Sequence, residues 1–392
     1  MINPSLYRDD VQAFIKAQED VPITSVILKG SPFKDVSIQE IAQQLEGRNK
    51  AKYKLPEWYD APHIIYPPKL NIEQTSSQQT AQYKASLMTG ETLLDCTGGL
   101  GVDSYYFSKV VDSVTHVELD ADIHAFAKAN FEQLEAANIT TLLDDGIAHI
   151  ARGNKYDTIY IDPSRRNDAK GKVFMLADCL PNVPEHLPLL LESCNTLWIK
   201  TAPLLDITAG LKELKHVSAI FCVAYKNEMK ELLWQLNPNF EGEVTLRAVN
   251  ITPDHTEIDV MTLTDIEQAQ SNFSVPQTYL YEANASLYKA GAFNWISLIY
   301  NLAKLHPFSH LYTSNEFIDF PGRRFNVKAV LPVDKKLKKT LGLQKANITT
   351  RNFPKTVAVL RKELKIKDGG ATYLFFTTLS DETKVCVHCS KI

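Results

Sequence analysis

Between residues 92 and 250 short apolar runs alternate with longer amphipathic segments. The runs Thr92–Asp95, Val114–Glu118, Ile139–Leu143, Thr158–Ile161, Thr196–Ile199, Val217–Ala224 and Glu243–Val249 predict seven strands. The segments Val102–Val110, Ala121–Ala137, Ile147–Arg152, Leu187–Ser193 and Glu228–Leu236 carry helical spacing. Strands interleaved with helices predict a mostly parallel sheet covered on both faces. Upstream, residues 1–55 read as a small helical subdomain, with Ser37 capping a helix from Ile38 to Gly47. Residues 56–72 hold Pro56, Pro62, Pro67 and Pro68 and read as loop with extended pieces. Ser76 or Ser77 then caps a helix reaching about Met88. Downstream, residues 251–275 are polar and read as a connection. A new unit opens at Tyr279 with a helix and a second, apolar one over Trp295–Leu305. Residues 323–392 alternate again: strand Phe325–Leu331, basic helix Lys335–Leu341, strand Ala346–Thr350, helix Thr356–Leu364, and strands Tyr373–Thr378 and Lys384–Cys389. That pattern predicts a C-terminal α+β module.

The chemistry gathers where the predicted strands end. The first strand runs into Asp95-Cys96-Thr97-Gly98-Gly99-Leu100-Gly101-Val102-Asp103, a glycine-dense turn that opens a helix. Such a turn lets backbone approach a ligand without a Cβ in the way, and the helix presents free N–H groups to it. Gly99-x-Gly101-x-x-Ser104 comes within one residue of the dinucleotide fingerprint, and Glu118 lies where that fingerprint places an acid for ribose hydroxyls. Asp95 separates the two ligands that fit. A carboxylate at the first strand's tip repels a pyrophosphate but suits the ammonium of an amino-acid group, which favours S-adenosylmethionine (SAM) over NAD. Glu118, Asp145, Asp162 and Lys200 stand at the tips of four further strands. In doubly wound sheets ligands bind at that edge. Each of these acids also suits the plainer role of helix N-cap.

Asp-x-Thr-x-Gly-Leu-Gly-x-Asp resembles motif I of class I SAM-dependent methyltransferases, in particular rRNA guanine methyltransferases. The wider chain is similar to a bacterial family of RNA methyltransferases with a C-terminal THUMP-like domain. The resemblance implies a Rossmann-like seven-stranded class I methyltransferase sheet with a ferredoxin-like/THUMP-like module. It places Asp95, Thr97, Gly98, Gly99 and Gly101 around the methionine end of SAM, Glu118 on the ribose, and Asp145 and Gly146 beside the adenine. Asp162-Pro163-Ser164 occupies the place of the (Asp/Asn)-Pro-Pro-aromatic motif of amino-group methyltransferases and is the expected catalytic element. Ser164 and Arg165 depart from that motif, which leaves the methylated group open. Arg165, Arg166 and Lys200 are the expected substrate contacts, because arginine stacks on bases and grips phosphate. Thr80 or Lys84, just before the first strand, would line the cofactor pocket.

Charge supplies the partner. Residues 321–392 hold 16 Lys and Arg against 5 Asp and Glu, while the rest of the chain holds 26 against 41. A basic C-terminal module on an acidic body points to a polyanion, and with the resemblance to RNA, either tRNA or rRNA. The expected layout is a helical subdomain over residues 1–74, a methyltransferase domain over 75–265, a connecting ferredoxin-like region over 266–320 and the basic THUMP-like domain over 321–392. The six scattered cysteines predict free thiols and, with no basic-then-apolar leader and no apolar run of membrane length, a cytoplasmic protein. Cys386-x-x-Cys389 has no second pair, and no His/Cys/Asp cluster has metal-ligand spacing. Two other functions share these features. One is an RNA-binding protein that keeps the fold without turnover; the other is a methyltransferase for a substrate other than RNA.

Overall fold

A computed structural model describes residues 2–165 and 175–392. The chain forms two compact units, residues 1–220 with 231–242, and residues 221–230 with 243–392.

The predicted strands form as β1 (Thr92–Asp95), β2 (Ser113–Glu118), β3 (Ile139–Leu143), β4 (Tyr156–Ile161), β5 (Cys194–Thr201), β6 (Val217–Tyr225) and, beyond an extra strand, β8 (Thr245–Ile251). β1 to β5 are parallel, in the order β3-β2-β1-β4-β5. The order reverses between β1 and β4, which is the switch point where a doubly wound sheet opens a ligand crevice. A parallel strand is covered on both faces, and β1 reads accordingly: partly exposed Thr92, then buried Leu93, Leu94 and Asp95.

Two strands enlarge the expected seven to nine. Glu228–Leu236, expected as a helix, is instead β7, lying antiparallel beside β5 with Leu197 opposite Leu236 and Lys200 opposite Leu233. Lys226 and Asn227, both at positive φ (52° and 63°), form the two-residue turn that a β-hairpin's twist demands. Because β7 lies between β5 and β6, consecutive residues Leu232 to Trp234 are all buried, and no alternation survives in the sequence. Thr256–Thr262 forms β9 inside the stretch expected as a polar connection, antiparallel to β8 and completing the order β9-β8-β6-β7-β5-β4-β1-β2-β3. As an edge strand it carries the charged residues Glu257 and Asp259, the kind that discourage further pairing.

The N-terminal segment is helical as expected, with a complete capping box between Ser37 and Glu40. Ile23–Lys29 is a helix as well. The proline-rich stretch corrects a second expectation. Pro56 starts the helix Pro56–Asp60 and Pro68 precedes the helix Lys69–Gln74, positions where a missing N–H costs nothing. Ser77 caps the helix Gln78–Ala85.

The second unit contains a seven-stranded sheet built from β10 (Tyr279–Ala283), β11 (Ala303–Lys304), β12 (Tyr312–Ser314), β13 (Gly322–Pro332), β14 (Asn347–Arg351), β15 (Thr372–Thr378) and β16 (Lys384–Lys391), ordered β11-β12-β10-β13-β16-β15-β14. Tyr279 thus begins a strand before the helices Ala285–Lys289 and Phe293–Ile299. Alternate residues of β15 feed two cores. Phe375 joins Leu280, Phe325 and Val387, whereas Leu374 and Phe376 join Ile348, Leu360 and Cys386. Cys386 and Cys389 belong to different cores, as residues three apart on a strand must, so this pair is two separate buried free thiols. Among the described residues no helix is long and apolar enough to cross a membrane.

Candidate active site

The loop after β1 is held by its own side chains. Asp95, 1% exposed, accepts from the Ser104 hydroxyl (2.6 Å) and from the Thr97 backbone N–H (3.2 Å). Burial pushes its carboxyl up to about 7, with the Ser104 bond opposing. The Ser104 oxygen also lies 2.9 Å from Nδ1 of His116, which is fully buried, and burial pushes that imidazole down to about 3. With its one proton on Asp95, Ser104 accepts from the imidazole N–H.

The three glycines have different reasons. A Cβ on Gly98 would meet the His116 ring at 2.1 Å, and one on Gly101, at φ 84°, the Phe131 ring at 2.2 Å. Among the described residues, a Cβ on Gly99, at φ 56°, would meet nothing nearer than 4.0 Å. Gly98 and Gly101 therefore let the loop lie against the core, and Gly99 turns its face to open space. At that open face the Gly99 N–H donates to the Glu118 carboxylate (2.8 Å), whose other oxygen takes the Asp120 N–H (2.7 Å). Two backbone donors thus fix the carboxylate while leaving lone pairs for further donors. Asp145 is an N-cap, accepting from Ala148 N–H (2.9 Å), and stays exposed. A Cβ on Gly146 would meet the Cys96 carbonyl oxygen at 2.4 Å, so this glycine lets the helix Gly146–Ala151 start against the β1 loop. Leu119, next to Glu118, and Leu143, two residues before Asp145, are 71% and 54% exposed, an apolar surface at the same sheet edge.

Thr97 reaches across the switch point. Its hydroxyl accepts from the Asp162 backbone N–H at 2.7 Å and so ties the β1 and β4 loops together. Pro163 is buried and Ser164 exposed, and the backbone at Ser164–Arg165 pairs with Cys179–Leu180. The Asp162 carboxylate, about one-third exposed, forms an ion pair with Lys200 at the end of β5. Arg166 lies outside the described residues.

Sequence reasoning missed what lies beneath. Lys84 does not face a pocket. It is wholly buried, 3.1 Å from both Asp103 and Glu231, and donates to Ser76 Oγ at 2.6 Å. Asp103 Oδ2 also accepts from Ser76 (2.9 Å) and Tyr160 (2.9 Å). Burial would raise the Asp103 carboxyl, but Lys84 and Lys200 outweigh it and hold it below the usual range. Glu231, 2% exposed, is raised by burial, and its Oε1 has no hydrogen-bond partner among the described residues. Only the last residue of motif I hints at this cluster in the sequence; Glu231 is hidden in a segment with helical spacing. Among the described residues no group of His, Cys, Asp and Glu could hold a metal ion.

Residues 322–391 match the model of the THUMP domain-like family and residues 279–321 that of a ferredoxin-like domain. The chain has no sequence match among curated proteins. Among solved structures it is similar to the "putative methyltransferase from Porphyromonas gingivalis W83", at 28% identity over 97% of both chains with a TM-score of 0.87. Partial likenesses extend to a "putative class i s-adenosylmethionine-dependent methyltransferase" from Listeria monocytogenes (15% identity, 47% of this chain and 68% of that one, TM-score 0.34) and to an rRNA methylase from Streptococcus thermophilus (14%, 41% and 94%, 0.29). With the Porphyromonas gingivalis likeness spanning nearly its whole length, the chain carries a methyltransferase fold, followed by a ferredoxin-like and a THUMP-like domain.

Proposed function

We propose that the protein is a SAM-dependent methyltransferase acting on RNA. The observation that carries the cofactor is the open face of Gly99 set against a carboxylate already oriented by two backbone N–H groups. In this reading Glu118 accepts from both ribose hydroxyls, Asp145 and Gly146 meet the adenine, and Leu119 and Leu143 cover the purine faces. Gly98, Gly101 and Thr97 hold the loop near the methionine end. Asp95, acting through Ser104 and Thr97, sets the loop's shape. When bound, SAM supplies a methyl group on a good leaving group, so the protein's work is positioning the nucleophile. Asp162, Pro163 and Ser164 form that side of the site, with Lys200 behind them and Arg165 and Arg166 as substrate contacts. RNA is favoured by the THUMP-like match and by the basic surplus it spans.

The test is transfer of labelled methyl from SAM onto total RNA from cells lacking the protein. Label in RNA that disappears with Asp162→Ala is the expected result. Label absent from RNA but present in protein or small molecules would refute the RNA assignment.

A further inference from the structure

In an amino-group methyltransferase site the base's exocyclic –NH2 needs two acceptors. Here the strand-tip carboxylate stands beside a cation instead. Asp162 is paired with Lys200, whose side chain is only 13% exposed. Lys200 lies opposite Leu233 on β7, with Glu231 two residues before it on the same face of the sheet. Tyr160 and Asp162 share that face, and Lys84 and Asp103 come from the helices over it. Burial would lower the lysine's basicity, but the carboxylates of Asp162, Asp103 and Glu231 overcome it and hold it above the ordinary range. The described cluster has three carboxylates for two lysines. One of those lysines, Lys84, is fully buried between Asp103 and Glu231 and cannot turn to Asp162. The site edge therefore presents a donor, Lys200, next to an acceptor, Asp162.

We propose that the Asp162–Lys200 pair recognises and methylates a lactam nitrogen, the ring N–H beside a C=O found at guanine N1 or uracil N3. This rests on the SAM and RNA reading above. A lactam offers one donor and one acceptor side by side, complementary to Asp162 and Lys200 in turn; an exocyclic amine would point a donor at an ammonium. In the reaction the N–CH3 bond forms and the C–S bond breaks, with sulfur keeping its electron pair. The ring proton passes to Asp162, whose carboxylate is open enough to release it to water. Lys200 stabilises the charge that develops on the carbonyl oxygen as that proton leaves.

The measurement is nucleoside analysis of the methyl-labelled RNA. The expected products are 1-methylguanosine or 3-methyluridine. Lys200→Met should lower transfer at least 100-fold with SAM affinity changed less than about threefold, and Lys200→Arg should restore part of the rate by replacing one cationic donor with another. Label in N2-methylguanosine, N6-methyladenosine, a base carbon or a ribose oxygen would overturn the proposal while leaving the RNA methyltransferase reading intact. No label on any RNA would overturn both. Full transfer by Lys200→Met would also overturn it, since the lysine would then be scaffold alone.

Discussion

Three glycines share the loop after β1, yet they answer to different neighbours, and substitution should separate them. Gly98→Ala drives a methyl into the buried His116 ring, which is pinned through Ser104 to Asp95. Overpacking of this kind costs about 1–3 kcal/mol, visible as a lower denaturation midpoint. Gly99→Ala meets open space and suffers only the strain of a left-handed backbone, about 1 kcal/mol, but places its methyl where the ligand would lie. Its stability should fall little and its SAM affinity at least tenfold; equal effects of the two variants on both readouts would mean that the open face of Gly99 is not a ligand face. Asp95 gives a second residue-level test. Its carboxyl is raised to about 7 in the folded chain, chiefly by burial, against about 4 when unfolded. The folded state thus binds a proton that the unfolded state releases, so this group's contribution to stability is present below about pH 4 and is lost as pH rises from about 4 to 7. Asp95→Asn removes the titrating group. In urea denaturation the stability difference between Asp95→Asn and the wild type should shift in favour of the variant from about pH 5 to about pH 8; a pH-independent difference would contradict the assignment.

Among the secondary-structure elements, the sequence is most legible where period and punctuation agree. β1 to β6, the Ser37 and Ser77 caps and the strands and helices of residues 322–392 follow from local pattern, because each has one face toward a core or a turn at each end. The segments that differ from expectation have identifiable causes. Glu228–Leu236 is rich in residues that favour helices, and its alternation vanishes because β7 is covered on both sides. Its strand character is written in the Lys226–Asn227 turn, whose left-handed backbone is not announced by a glycine. Pro56 and Pro68 have the look of helix breakers in sequence and are helix starts in the fold. For the site, the strand-tip acids are legible, but which are open and which buried is not. Burial of Lys84 and Glu231 depends on three elements distant in sequence. The link between the β1 and β4 loops is likewise tertiary, and it is testable. Thr97→Val keeps the shape but leaves the Asp162 N–H without its acceptor, at a cost of about 1–3 kcal/mol. Because Asp162 is then less well held, methyl transfer should fall about tenfold or more beyond any loss of SAM affinity; unchanged transfer with weakened stability would make the bond purely structural.

Over the whole molecule the charges are divided along the chain, with a surplus of 11 positive charges in residues 321–392, from 16 basic and 5 acidic side chains, and an acidic remainder. RNA bound through that surplus releases counterions. With about four phosphate contacts, each contributing about −0.9 to the salt slope, affinity should fall about 100-fold between 50 and 200 mM salt. Titration of labelled RNA at several salt concentrations measures the slope, and a value near zero would exclude the basic domain as the RNA platform.

Everything proposed for the site depends on SAM binding at the loop after β1, and calorimetric titration of the intact protein with SAM, beside NAD, measures that binding without any assumption about the methyl acceptor. Saturable SAM binding with one site per chain is expected, with no heat from NAD. Glu118→Ala should lose at least tenfold in affinity, since its carboxylate is partly exposed and can be removed without emptying the core. A wild-type protein that does not bind SAM, or binding indifferent to Glu118→Ala, would refute the assignment.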